Sequence, residues 1–209
     1  MCNRFRSIME WSEIPRRLYG GPRLNFALNP NVAPTELAPI LVAQPDGHAT
    51  AVIARFGINL TRNDGKPRPP LLNARTGGLR RGQFRSHLQH QRCVIPAAGF
   101  YEWRDEDGKQ PYYFSRKNGS PLMLAGIWQD SEYKGDQRIA FAILTDEPNG
   151  LVAPYHDRMP LALADAKSLP KVRLARSSAE RVGVCSVPLS LSSRTSRSCN
   201  CTSLVPTPL

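Results

Sequence analysis

The 209-residue sequence contains no long apolar run. A membrane-spanning helix needs about 18 or more consecutive apolar residues, and no segment approaches that length. The N-terminal stretch MCNRFRSIMEWSEIPRR lacks the apolar core of a secretory signal peptide, because Arg4, Arg6, Glu10 and Glu13 interrupt it. We therefore expect an intracellular protein without a membrane partner, located in the cytoplasm or nucleoid if its source is bacterial.

A disulfide framework is also missing. The cysteines are odd in number and irregularly spaced, and no Cys/His cluster has the spacing of a zinc site. In a reducing compartment such residues stay as free thiols. The five cysteines are Cys2, Cys93, Cys185, Cys199 and Cys201. The sequence therefore predicts no bound metal and no other cofactor.

Acidic residues are scarce relative to basic ones. Lys and Arg total 28 against 17 Asp and Glu, which gives a net charge of +11. This excess suits a polyanionic partner, because neutralisation of phosphates supplies most sequence-independent affinity for nucleic acid. The excess is uneven, since residues 167–209 hold seven basic residues and one acidic residue. The basic signal in the rest of the chain is modest.

The same C-terminal segment has no aromatic side chain, the last one being Tyr155. It includes ten serines and three cysteines. A segment of this composition buries too little apolar surface to offset the entropy lost on ordering. We predict one domain over residues 1–166, followed by a poorly ordered basic tail, rich in Ser, Arg, Cys and Pro, over residues 167–209.

The first 166 residues contain short apolar segments separated by Pro, Gly and Asn. Alternation or short apolar runs predict strands over 39–44, 49–58, 93–103, 111–116, 122–128 and 139–145. Helical spacing favours two helices, over 7–18 and 80–91. The prediction is an α+β fold, a strand-rich domain with a closed or nearly closed sheet or barrel and a few flanking helices.

Cys2 is the first residue with distinctive chemistry. If Met1 is removed, the α-amine of Cys2 lies beside its thiol, and ordinary pKa values of about 7.7–8.0 and 8.5 leave both groups partly reactive at neutral pH. The amine can form an imine with an aldehyde, after which the thiolate closes a five-membered thiazolidine ring. The thiol could instead attack an amide carbonyl. A lone cysteine at position 2 more often has no function.

Glu102 lies in the segment AAGFYEW. Alternation along a strand would put Phe100 and Glu102 on one face and Tyr101 and Trp103 on the other. Burial among apolar residues would raise the pKa of the carboxyl group toward neutrality and suit it to acid–base catalysis. The alternative is a glutamate that pairs with an arginine or faces water at the end of the strand.

Two further segments offer polar groups. His156, in APYHDRMP, could protonate a leaving oxygen or polarise a carbonyl. Asn73 and Arg75 precede a Gly-Gly pair, where Arg75 could bind a phosphate and Asn73 could orient a reacting group. A histidine in a loop is more often structural, and each of these signals is weak when taken singly.

Taken in order, these segments resemble the SRAP family (SOS response-associated peptidase). The resemblance covers residues 1–165 and rests on MCNR, NVAPT, ARFGI, NAR, RCVIPAAGFYEW, PYYF, LAGIW, FAILT and HDRMP. Members bind single-stranded DNA and link covalently to abasic sites. The resemblance therefore implies a monomer that acts in the SOS and DNA damage responses, with single-stranded DNA containing abasic sites as its partner.

The resemblance also implies roles for individual residues. The protein removes its own Met1, a peptidase (hydrolase) reaction, and Cys2 then forms the thiazolidine with the ring-opened sugar. Asn73 holds the N-terminal residue, Glu102 serves as acid and base in both steps, and His156 assists at the sugar. Reversal of the link would be a lyase-like reaction. The residues expected to contact DNA are Arg4, Phe56, Arg75 and Arg158.

Several positions depart from the family pattern. Asn3 replaces a glycine, Phe56 replaces a tryptophan, and Thr76 begins a segment that lacks the usual acidic residue. The tail beyond residue 166 resembles neither the helix nor the strand of the family. The alternative function is a catalytically impaired protein that binds single-stranded nucleic acid without a covalent bond. A cysteine peptidase acting on other proteins is a third possibility.

Overall fold

The computed structural model describes residues 2–8, 11–14, 24, 26–27, 29–44, 49–79, 84–104, 110–133, 136–163 and 189–193. Strands dominate these residues. They are β1 (Arg4–Ser7), β2 (Leu37–Ala43), β3 (Ala49–Phe56), β4 (Asn73–Arg75), β5 (Arg92–Arg104), β6 (Gln110–Arg116), β7 (Leu122–Tyr133), β8 (Asp136–Asp146), β9 (Met159–Pro160), β10 (Ala162–Leu163) and β11 (Leu189–Ser193). The helical elements are a 3-10 turn (Trp11–Glu13), α1 (Thr76–Leu79) and α2 (Arg85–His90).

Five long strands close into a ring of backbone hydrogen bonds. β2 pairs with β3, β3 with β8, β8 with β7, β7 with β5, and β5 returns to β2. The β3–β8 pair is parallel and the other four pairs are antiparallel, so the sheet is mixed. The predicted strand-rich α+β fold with a closed sheet is confirmed. Closure leaves these strands without open edges along their paired lengths.

Both faces of the sheet are apolar. On one face the buried rings of Phe5, Phe56 and Phe141 form a cluster, with Phe56 and Phe141 stacked 5.3 Å apart and Phe5 edge-on to Phe56 at 5.5 Å. On the other face aliphatic residues pack together, among them Ala125, Ile127 and Ala142. This two-sided burial explains why several strands were recognisable as continuous apolar runs rather than alternating ones.

The two predicted helices are found only in part among the described residues. Residues 4–7 belong to β1, and Ser7 pairs with Ala97 of β5. Pairing with the sheet therefore overrides the local helical spacing at the start of the 7–18 segment, and only the 3-10 turn follows in the part described. The second helix is present as α2, and residues 80–83 lie outside the described residues.

The tail contributes one described strand. β11 pairs antiparallel with β6, with Leu191 opposite Phe114. Main-chain hydrogen bonds to a strand edge do not require aromatic residues, and the expectation that most of the tail is poorly ordered stays a prediction. Residues 164–188 and 194–209 lie outside the described part, so the boundary at residue 166 stays a prediction. No helix among the described residues is long and apolar enough to cross a membrane.

Candidate functional site

Strand β1 brings the N-terminus to the sheet. Arg4 lies opposite Tyr101 and Phe5 opposite Phe100 in the antiparallel β1–β5 pair. Phe5 is fully buried, and its backbone exchanges two hydrogen bonds with Val32, at 3.3 and 2.8 Å. Because the pairing is antiparallel, the residues that precede Arg4 run along β5 in the direction of Glu102. The N-terminal segment is therefore held by the core.

Cys2 is fully buried within this segment. Its thiol donates to the carbonyl oxygen of Arg4 at 3.6 Å. Burial raises the pKa of the thiol well above its ordinary value, the negative charge of Glu102 raises it further, and the positive α-amino group of Met1 opposes both effects. The thiol is therefore protonated at neutral pH in this state, and it needs a base to become a nucleophile.

Glu102 is also buried, with 1% of its surface exposed. Burial raises its pKa to about 7, against a lowering by the α-amino group through charge and a hydrogen bond, and a smaller rise from Asp157. Of the two alternatives for Glu102, the structure has the buried carboxyl group rather than one that faces water. A carboxyl group with this pKa is partly protonated at neutral pH, so it can accept a proton in one step and return it in another.

Asn73, the first residue of β4, contacts the N-terminal segment directly. Its Nδ2 donates to Oδ1 of Asn3 at 3.2 Å, and its own side chain is buried. Its Oδ1 atom is buried and has no hydrogen-bond partner among the described residues. An amide oxygen in this position is available to an N–H group of the terminus or of a substrate.

A compact loop places His156. The side-chain oxygen of Asn149 accepts hydrogen bonds from the backbone of Leu151 and Val152 at 3.1 and 3.0 Å, and His156 N donates to Val152 O at 3.1 Å. Val152 is fully buried in the apolar cluster that contains Phe5. The loop is therefore anchored to the core, which fixes the backbone position of His156.

An aromatic contact links this loop to Glu102. Tyr112 of β6 lies opposite Glu102 of β5, and its ring packs 4.6 Å from that of Tyr155, the residue before His156. Asp157, the residue after His156, is close enough for its charge to raise the pKa of Glu102. The structure thus brings the loop of His156 to the part of β5 that carries Glu102.

The ring nitrogen Nδ1 of His156 has two neighbours. Oδ1 of Asp157 lies 2.8 Å away, and the backbone N–H of Arg158 donates to Nδ1 at 3.0 Å. A neutral Nδ1 with a free lone pair accepts from Arg158, whereas a protonated Nδ1 donates to Asp157. The loop therefore offers a partner to this nitrogen in either protonation state.

Two of the arginines predicted to contact DNA meet at one end of β8. Arg75 is exposed and lies beside Thr145 in the parallel β4–β8 pair, and Nη2 of Arg158 donates to the carbonyl oxygen of Thr145 at 2.7 Å. Arg4 is half-buried on β1 and lies opposite Tyr101, the residue that precedes Glu102 on β5. Arg75 therefore shares β4 with Asn73, Arg4 lies on the N-terminal strand β1, and Arg158 lies in the loop that follows His156.

Phe56 requires a correction. We expected its ring to contact DNA, but the ring is fully buried between Phe5 and Phe141. Burial leaves no exposed face on which a base could stack. Its role in this structure is to support Phe5, and through Phe5 the N-terminal segment.

Sequence reasoning missed three residues at the site: Tyr112, Tyr155 and Asp157. Asp157 is adjacent to His156 in HDRMP, so the motif contained its signal. Tyr112 becomes recognisable once β5 and β6 are paired as a hairpin, because pairing sets it opposite Glu102. Asn3 was recognised as a departure from the family pattern, but its contact with Asn73 was not predicted, since the two residues are far apart in sequence. No group of three or more His, Cys, Asp or Glu side chains suited to a metal ion occurs in the part of the chain described.

The chain is similar to several known proteins. A family model, SOS response associated peptidase (SRAP), matches residues 1–180. The chain is 37% identical over 100 residues to abasic site processing protein YedK of Escherichia coli, covering 46% of this chain and 45% of that protein. It is 28% identical over 172 residues to abasic site processing protein YoqW of Bacillus subtilis, covering 79% and 77%. A solved protein from Bordetella bronchiseptica superimposes with a TM-score of 0.71 at 21% identity, covering 93% of this chain and all of the other.

Proposed function

Because the chain belongs to the SOS response-associated peptidase (SRAP) family, we propose that it processes abasic sites in DNA. In this proposal it binds single-stranded DNA and, after loss of Met1, links Cys2 covalently to the abasic sugar through a thiazolidine. Two of its relatives bear the name abasic site processing protein. The observation that carries the proposal is the buried Glu102, whose pKa is about 7 and whose charge acts on the buried Cys2 thiol, next to the Met1 terminus that would be removed.

The first step is removal of Met1. Water hydrolyses the peptide bond between Met1 and Cys2, and the bond's nitrogen becomes the new α-amine of Cys2. Glu102 has the burial and pKa of a group that takes a proton from the attacking nucleophile and delivers it to the leaving amine. Asn73 supports this step because its contact with Asn3 holds the segment next to the reacting bond.

The second step joins the protein to the lesion. The new amine attacks the aldehyde carbon of the ring-opened sugar, water leaves, and an imine remains. The Cys2 sulfur then adds to the imine carbon while its proton passes to the imine nitrogen, which closes the ring. Glu102 can relay these protons, and protonated His156, whose Nδ1 then donates to Asp157, can protonate the sugar oxygen as its ring opens.

DNA binding in this proposal rests on Arg4, Arg75 and Arg158. Arg75 is exposed at the end of β4, Arg4 is half-buried on β1, and Arg158 is half-buried in the loop before β9. A guanidinium group can donate two parallel hydrogen bonds to the oxygens of one phosphate. An abasic nucleotide lacks its base, which leaves space for a protein terminus to approach the sugar. Loss of the link by reversal would be the lyase-like reaction, and the protein would act as a monomer in the DNA damage response.

A second candidate function is non-covalent binding of single-stranded nucleic acid. Cys2 is fully buried and its thiol is held protonated. A chain that retains Met1 would have no free amine on Cys2, and it would bind DNA without reacting.

The test uses intact mass and a denaturing gel. We expect wild-type protein to lack Met1, and to form a denaturant-resistant complex with a single-stranded oligonucleotide that carries one abasic site. Cys2→Ala should bind the same oligonucleotide without forming that complex, and an oligonucleotide without the lesion serves as the substrate control. Retained Met1 and binding without a covalent complex would contradict the crosslinking proposal and establish the second candidate.

A further inference from the structure

A basic hairpin projects from the connection between β3 and β4. We use this name for residues 59–70. Every residue from 61 to 69 is exposed. The hairpin carries three cations, Arg62, Lys66 and Arg68, and one carboxylate, Asp64. Apart from prolines, residues 61–69 contain no apolar side chain, so this part of the chain adds nothing to the core.

The hairpin is ordered by its own backbone. Arg62 N donates to Lys66 O at 2.8 Å, Gly65 N donates to Arg62 O at 3.0 Å, and Arg68 N donates to Leu60 O at 2.9 Å. Gly65 has a φ of 79°, a left-handed conformation that suits glycine in a tight turn. The three cations are therefore presented on a defined backbone, which lowers the entropy lost when they bind a partner.

The base of the hairpin is fastened to the sheet. Ile58 and Leu71 exchange two backbone hydrogen bonds at 3.0 and 2.8 Å. Nδ2 of Asn59 donates to Ser131 Oγ and to Glu132 O of β7, each at 3.3 Å. Such a base holds the arm at a fixed position relative to the sheet.

Prolines make the basic hairpin better suited to binding through its side chains than through backbone pairing with another strand. Pro67, Pro69 and Pro70 occupy the returning half of the hairpin. Proline has no backbone N–H group and fixes φ, so this half cannot extend a sheet through a regular ladder of hydrogen bonds. The binding groups that remain are the three cationic side chains.

The hairpin leads directly into the candidate site. After Leu71 the chain enters β4, where Asn73 contacts Asn3 and Arg75 is exposed. The arm has about six residues on each side, so it extends roughly 20 Å from its base. A strand of DNA bound at Arg75 would therefore continue within reach of the hairpin.

We propose that the basic hairpin binds the phosphodiester backbone of the DNA strand that flanks the abasic site. The proposal rests on the proposed function for the presence of DNA, and it assigns a separate surface to affinity. Three exposed cations favour phosphates as the ligand. When a cationic side chain neutralises a phosphate, counterions are released from the DNA, and this gain in affinity does not depend on base sequence. The hairpin takes no part in the chemistry at Cys2.

The experiment measures binding of a labelled single-stranded oligonucleotide at increasing salt, with and without an abasic site. Neutralising three contacts in the triple variant Arg62→Gln, Lys66→Gln, Arg68→Gln should reduce the log–log salt slope by about 2, at about 0.7 for each phosphate on a single strand. Lys66→Gln alone should reduce it by about 0.7. The matched control is Lys117→Gln, an exposed lysine in the β6–β7 turn, which should keep the wild-type slope.

The outcomes separate this inference from the proposed function. A reduced slope with full crosslinking at saturating DNA supports both. Wild-type crosslinking with an unchanged slope and affinity in the triple variant overturns the hairpin assignment alone. If binding depends on the hairpin but wild-type protein forms no crosslink, the hairpin assignment is supported and the proposed covalent chemistry is contradicted. Absence of DNA binding by wild-type protein overturns both.

Discussion

Two features of the surroundings of Glu102 shift the pKa of its carboxyl group in opposite directions. Its carboxyl group is buried, which disfavours the charged form, yet it lies near the α-amino group, which favours that form. Burial has the larger effect, and the pKa settles at about 7. A carboxyl group in this balance can exchange protons at neutral pH, at a cost to stability when it is ionised.

We predict that Glu102→Gln changes the pH dependence of stability. The folded pKa of Glu102, about 7, exceeds its ordinary value of 4.5, so the folded state binds a proton that the unfolded state releases between these pH values. The stabilising contribution is complete below pH 4.5 and is lost as the pH rises through 7. The loss amounts to about 3 kcal/mol at most. Glutamine does not titrate, so the variant should gain stability relative to wild type over this interval.

Urea denaturation at a series of pH values measures this difference. Glu147→Gln, which removes an exposed carboxylate, is the control, and its curve should run parallel to that of wild type. A constant difference between wild type and Glu102→Gln from pH 4.5 to pH 8 would show that the burial of Glu102 does not control its protonation.

At the scale of elements, β5 organises the site. It pairs with β1, β2, β6 and β7 along its length of 13 residues. One end belongs to the closed ring, and the other end carries Glu102 between the N-terminal strand and β6. Gly99 lies at the crossing, opposite Arg6 of β1. The close packing of three strands at this position leaves no space for a side chain.

Gly99→Ala should therefore lower the melting temperature. An added Cβ would contact the backbone oxygen of Phe114, and would lie 2.5 and 2.6 Å from Cζ and the hydroxyl oxygen of Tyr113. Overpacking of this kind costs about 1–3 kcal/mol, or roughly 2–12 °C for a domain of this size. Because Glu102 is three residues away, crosslinking should decline as well.

Gly150→Ala is the matched control for Gly99→Ala, since an added Cβ at Gly150 meets no heavy atom within 4 Å. Thermal unfolding followed by circular dichroism compares the two variants. Equal melting temperatures for Gly99→Ala and wild type would mean that β6 can move away from β5 without loss.

At the scale of the whole molecule, β6 lies outside the closed ring. It pairs with β5 on one side and with β11 on the other. β6 contributes the buried Phe114 and the site residue Tyr112. β11 comes from the C-terminal segment, so a part of the chain with unusual composition covers the edge of a strand that supports the site.

Deletion of residues 189–209 should destabilise the protein and promote association, because it exposes the hydrogen-bonding edge of β6. Deletion of residues 194–209 retains β11 and should leave stability close to that of the full chain. Thermal unfolding and size-exclusion chromatography measure the two effects. If both deletions behave like the full chain, β11 does not contribute to stability.

Much of the fold was visible in local patterns. The six segments predicted as strands are all present, because a run of apolar and β-branched residues specifies an extended, buried segment wherever its partners lie. The start of the 7–18 segment shows the limit of this reasoning. The spacing of its apolar residues favoured a helix, but Ser7 pairs with Ala97 and so belongs to a strand.

The site divides in the same way. The chemistry of Cys2 and the polarity of Glu102 and His156 follow from residue type and neighbours, so they could be inferred before any contact was known. The burial of Phe56, the Asn73–Asn3 hydrogen bond and the exposure of the basic hairpin could not. These properties depend on contacts between segments many residues apart, which chain folding alone brings together, whereas reactivity and strand propensity are carried by each short segment.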